Sequence, residues 1–139
     1  METYHFEKDI SVICVTAPSF PEGISEVYHQ LHSVLPSMEG RNFFGISYPN
    51  REGAIIYKAA AEEAFEGEAE KQGCEIFTIN KGSFTSKTLI DWRKDETIIG
   101  RTFRELLSDP CIDKNGYCLE VYNGKNEVKC MVRLDASKV

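Results

Sequence analysis

The spacing of apolar positions along the chain describes one pattern that occurs twice. Residues 9–17, DISVICVTA, are rich in β-branched side chains and stop at Pro18, which predicts a strand. In SFPEGISEVYHQLHSVLP, Ser19 stands three residues before Glu22, a capping-box spacing, with Pro21 in the first turn. Ile24, Val27, Tyr28, Leu31 and Leu35 then recur at three- and four-residue steps until Pro36, the period of an amphipathic helix. RNFFGISYP (41–49) and GAIIYKAAAEE (53–63) flank Asn50-Arg51-Glu52 and predict an antiparallel hairpin.

An acidic stretch, residues 62–73, separates this unit from a return of the same signals. CEIFTINKGSFTSKTLIDW (74–92) reads as one long strand, with Gly82 suited to a bulge or bend. In DETIIGRTFRELLSDP, Asp95 is an N-cap, Ile98, Ile99, Phe103, Leu106 and Leu107 share a helical face, and Pro110 follows the end. GYCLEVYNG (116–124) and NEVKCMVRLD (126–135), joined at Asn123-Gly124-Lys125, form a second hairpin. The expectation is one α+β domain, residues 1–139, with β-α-β-β repeats at about 8–63 and 74–135. The repeats would form a curved antiparallel sheet about a pseudo-twofold axis, with two helices on one face.

The face away from the helices would be polar if it met only water. Instead Phe43 and Phe44 point to opposite faces, as do Ile55 and Ile56, and Tyr117, Leu119 and Val121 oppose Cys118, Glu120 and Tyr122. Apolar bulk on both faces predicts a ligand groove on the side away from the helices, between the repeats.

Glu120 interrupts that apolar pattern. By strand parity it shares a face with Cys118 and Tyr122, while Leu119 and Val121 are expected to meet the helices, which puts Glu120 on the floor of the groove. A carboxylate withdrawn from water must raise its pKa, find a donor or meet a cation. A guest joining positive charge to flat apolar rings would satisfy it and stack on aromatic neighbours. A cross-strand ion pair with Lys58, Lys129 or Arg133 is the alternative. Trp92, the sole tryptophan, Tyr57 and Tyr122 read equally well as core filling.

Composition narrows the partners. The formal charge of -6 and pI of about 5.1 oppose a phosphate backbone, so nucleic acid is not expected to bind. METYHFEKDI carries no basic and then apolar leader, and no apolar run approaches the roughly 20 residues of a membrane span. A soluble, cytoplasmic chain is expected, with no membrane partner. The five cysteines are odd in number and lack a C-x-x-C pair, which fits reduced thiols. His29 and His32 lack a third ligand, and Glu62, Glu63, Glu66, Glu68 and Glu70 lack a calcium-loop order, so no metal is expected and the glutamates are taken to solvate a connector. No Ser-His-Asp or Cys-His arrangement can be assembled, and no cofactor is called for.

The tandem order, with PSFPEGISEVYHQL, RNFFGISYP, GAIIYKAAAEE, TINKGSF and above all CLEVY ahead of a closing strand, resembles the GyrI-like small-molecule-binding domain. That family comprises gyrase-inhibitory proteins and the effector-binding domains of AraC-type and MerR-type multidrug regulators, and the resemblance spans residues 8–134. It implies that Glu120 lies at the base of an aromatic pocket and contacts cationic, lipophilic drugs, with Phe44, Tyr57, Trp92 and Tyr122 as walls. Lacking a helix-turn-helix region, the chain is expected to act as a stand-alone binding protein rather than to read DNA. Two other functions stay open. One is a hydrolase of strained-ring or xenobiotic compounds using Glu120. The other is a gyrase-inhibitor-like module that presents the acidic stretch to a basic protein partner.

Overall fold

The computed structural model describes residues 2–20, 22–35, 40–95, 97–124 and 126–138. Pro21, Pro36 and Lys125, which the sequence assigned to a helix start, a helix end and a turn, lie outside them. The fold is α+β, with antiparallel sheet carrying helices, and the chain divides into two compact units, Asp9–Ile79 and Met1–Lys8 with Asn80–Val139.

The Asp9–Ile79 unit contains β2 (Ile10–Thr16), α1 (Ile24–Val34), β3 (Phe43–Pro49), β4 (Ile55–Glu62), α2 (Glu68–Lys71) and β5 (Glu75–Ile79). Its strands lie in the order β3-β4-β2-β5, all antiparallel. Alternation sends Ile13 of β2 and Tyr57, Ala59 and Ala61 of β4 to one face, where Val27, Leu31 and Leu35 close over them. The alanines leave room for the helix to approach closely. Truncating Leu31, buried with no exposure, would cost about 2–5 kcal/mol. The hairpin turn is fixed by Asn50, whose Oδ1 accepts from the Glu52 and Ala54 amides at 2.9 and 3.0 Å, and by Gly53 at φ 84°.

The second unit contains β1 (Glu2–Phe6), β6 (Gly82–Ile90), a 3-10 turn (Trp92–Lys94), α3 (Ile98–Leu107), β7 (Cys118–Asn123) and β8 (Glu127–Arg133). Its order, β1-β6-β8-β7, repeats the first with β1 in the place of β5. Leu89, Val128, Cys130 and Val132 face Leu106 and Phe103 of α3. The N-cap of α3 is Thr97 rather than Asp95 and makes no side-chain cap bond; Asp95 lies two residues earlier, where its Oδ1 accepts from the Thr97 amide and hydroxyl at 3.0 and 2.7 Å and its other oxygen pairs with Arg101.

Several expectations need correction. The long strand of residues 74–92 is two strands: β5 pairs with β2 in one unit, β6 with β1 and β8 in the other. Gly82 opens β6 at φ 142°, and a Cβ there would lie 2.8 Å from the Arg133 Nη2 that packs over it. Residues 2–6, outside both expected repeats, form β1, where His5 Nδ1 lies 3.0 Å from Ser83 Oγ. The capping box does not form, because α1 begins after Gly23, whose amide donates to the Ser19 carbonyl. Glu68 is not a solvated connector residue but is wholly buried against Arg41.

Candidate functional site

β7 and the 3-10 turn assemble three of the five residues singled out in the sequence. Glu120 and Tyr122 are two apart on β7, so their side chains leave the same face, and the Tyr122 hydroxyl donates to Glu120 Oε1 at 2.5 Å. Trp92, expected at a strand end, is the first residue of the turn that follows β6. Its ring lies 5.8 Å from that of Tyr122, tilted by 57°. All three side chains are partly exposed.

Parity within β7 is as the sequence indicates, but the face is the opposite one. Cys118 and Tyr122 pack against the same buried cluster as Ile98, Ile99 and Phe103 of α3, and Glu120 is registered against Cys130 of that cluster. Glu120 therefore stands on the side that carries α3, and Leu119, expected beneath a helix, is buried on the reverse side. Parity says which residues travel together; with apolar groups on both faces it does not say which set meets the helix.

The three cations proposed as strand partners of Glu120 are engaged elsewhere. Lys58 donates to Thr16 Oγ1 at 2.8 Å and to Glu75, Lys129 lies 4.5 Å above the Tyr4 ring, and Arg133 donates to the Asn80 and Lys81 carbonyls. The Glu120 charge is felt by its neighbour across the ladder. Burial, and then Glu120, push the Cys130 thiol up to about 12, so it stays protonated and is no nucleophile.

Tyr57 and Phe44 belong to the Asp9–Ile79 unit and leave its sheet on opposite faces. Tyr57 lies beneath α1, with its hydroxyl 3.0 Å from that of Tyr28, which in turn reaches the Phe44 carbonyl at 3.0 Å. Phe44 is 1% exposed and fills the reverse side as core. Phe20, 42% exposed and not among the residues predicted from sequence, stacks on Tyr57 at 5.8 Å. A phenylalanine set between two prolines in a loop was the signal. The same unit holds an open groove of about 550 Å³ lined by Thr16, Gln30, Ser33, Cys74 and Glu75, among others, and by none of the five predicted residues.

His29 and His32 are exposed on α1. Among the described residues no three His, Cys, Asp or Glu side chains gather to hold an ion, and no helix is long and apolar enough to cross a membrane.

Protein-family models and curated proteins give no match to the chain. Solved structures do match. An integron cassette protein from the mobile metagenome of Vibrio cholerae superposes with a TM-score of 0.70 at 9% identity, over 96% of this chain and 95% of that one. The protein SAV2435, solved bound to tetraphenylphosphonium, gives 0.66 at 9% identity, over 98% and 94%. A hydrolase from Listeria innocua gives 0.56 at 8% identity, over 96% and 90%. At such identities the likeness is one of fold.

Proposed function

We propose that this chain binds amphipathic organic cations, with Glu120 as counter-charge and Tyr122 and Trp92 as aromatic surface. The observation that carries the proposal is the Tyr122–Glu120 hydrogen bond beside the Trp92 ring, on a partly exposed strand face. A phenol is a neutral donor: it orients the carboxylate and leaves its formal charge in place. A quaternary ammonium or phosphonium brings the opposite charge and, in its aryl groups, surface to lay against indole and phenol. The tetraphenylphosphonium held by a protein of the same fold supports this ligand class, as does the CLEVY resemblance to GyrI-like effector-binding domains. A reducing, cytoplasmic setting suits the free thiols of Cys14, Cys74, Cys111, Cys118 and Cys130.

The test is titration of tetraphenylphosphonium into the wild type and Glu120→Gln, followed by calorimetry or by quenching of the sole tryptophan. The substitution keeps the shape and removes the charge, and affinity is expected to fall by about 1.5–3 kcal/mol, the worth of a contact to a charged group. Equal affinities for the two proteins would reject the assignment. Recovery of the ligand at unchanged mass separates binding from hydrolysis.

A further inference from the structure

Trp92 already has a cation on its ring. The Arg93 guanidinium carbon lies 4.5 Å from the indole centroid. Neighbouring side chains in an extended strand point apart, so this contact needs a special backbone. The strand is left at Asp91, the one non-glycine residue with positive φ among those described, at 56°. Asp91 ends the run of β6, its amide donates to the Asn126 carbonyl at 2.7 Å, and the 3-10 turn beyond it sets Trp92 and Arg93 side by side.

The indole is held by contact rather than by a directed bond. Its Nε1–H is buried without a hydrogen-bond partner, and the ring packs against Tyr122 and the α3 cluster. Arg93, by contrast, is exposed, so swinging its side chain outward uncovers little apolar area.

We propose that Arg93 is a resident cation on Trp92 that an incoming guest must displace, and that it sets the selectivity of the Glu120 site. The inference rests on the cation-binding function proposed above and adds to it a filter. Indole is the strongest cation-binding ring among the side chains, and one face cannot hold two cations at once. A small, well-hydrated ammonium gains nothing over the guanidinium already there. A bulky aryl cation gains area that a guanidinium lacks, and can also reach Glu120. Arg93 therefore favours large aromatic cations and keeps small ones out.

The experiment compares wild type, Arg93→Gln and Glu120→Gln. In the ligand-free proteins, acrylamide quenching of the sole tryptophan should rise in R93Q, because the ring loses its cover. Tetraphenylphosphonium should bind R93Q about three- to tenfold more tightly, from loss of an exposed cation–π contact and of a nearby like charge. Tetramethylammonium should gain at least as much, narrowing the preference for the larger cation. E120Q should move affinity the other way, and the melting temperature of R93Q should stay close to that of wild type. If wild type binds tetraphenylphosphonium but R93Q binds it equally or more weakly, or quenching is unchanged, Arg93 is no such filter while the cation site stands. If neither wild type nor R93Q binds it, the cation site and the displacement fall together.

Discussion

Two carboxylates on apolar ground are treated differently by the two units. Glu68, on α2, has no exposure. Arg41 donates to both of its oxygens at 2.6 Å, and the Ala64 amide adds a bond at 2.9 Å. The guanidinium fork holds this carboxyl below the usual range against the opposing effect of burial. Glu120, on β7, is partly exposed and takes its bond at 2.5 Å from a neutral phenol. The first arrangement cancels a charge inside the fold with a planar donor that fits it. In the second, a neutral donor orients an acid at a partly exposed surface.

Substitutions can break this contrast. The largest effect is expected for Glu68→Gln, which strands the Arg41 guanidinium: a loss of about 3–5 kcal/mol in urea unfolding. Replacing both partners, R41M with E68M, should recover most of it, because the apolar pair needs no compensation. The pH dependence follows from the depressed carboxyl. Stability from the pair is complete above the unfolded carboxylate's value, 4.5, and is lost as pH falls through the lower native value. Wild type should thus weaken on acidification more steeply than the double variant, as read from melting temperatures between neutral and acid pH. Tyr122→Phe comes next, with about 0.5–1.5 kcal/mol lost for one hydrogen bond. Glu120→Gln should change stability least, by roughly 0.5 kcal/mol or less, while weakening the binding of tetraphenylphosphonium. A stability loss in E120Q as large as that in E68Q would erase the distinction between the two acids.

Elements with a sustained period were legible in the sequence. The helix from Ile24, the helix around Phe103 and both hairpins stand where apolar spacing and the Asn50 and Asn123-Gly124 turns put them. What failed to show was decided by distant partners. β1 is five residues with exposed side chains up to Phe6 and becomes a strand because β6 is there to pair with it. Glu68 looked like its solvated neighbours because Arg41, which buries it, is far away in the chain. At the site, the company of Glu120 and Tyr122 was readable from alternation, and the face was not, since Leu119 is as apolar as Tyr122 and only contact with α3 distinguishes them. The Arg93 contact was hidden because it lies in a short 3-10 turn, after a left-handed aspartate, that no hydrophobic pattern announces.

The exchange of strands has a consequence for synthesis. The strand that precedes each repeat pairs within the other unit, β1 with β6 and β5 with β2. Asp9–Ile79 is contiguous, so that unit can complete its sheet while the ribosome is still translating the remainder. Residues 2–6, which precede that unit in the chain, have no docking place until Gly82–Ile90 has emerged, and closing that long loop is an entropic delay. β1 thus docks after the unit that follows it in the chain, and a variant without residues 2–6 would leave β6 as a bare edge, open to pairing between molecules.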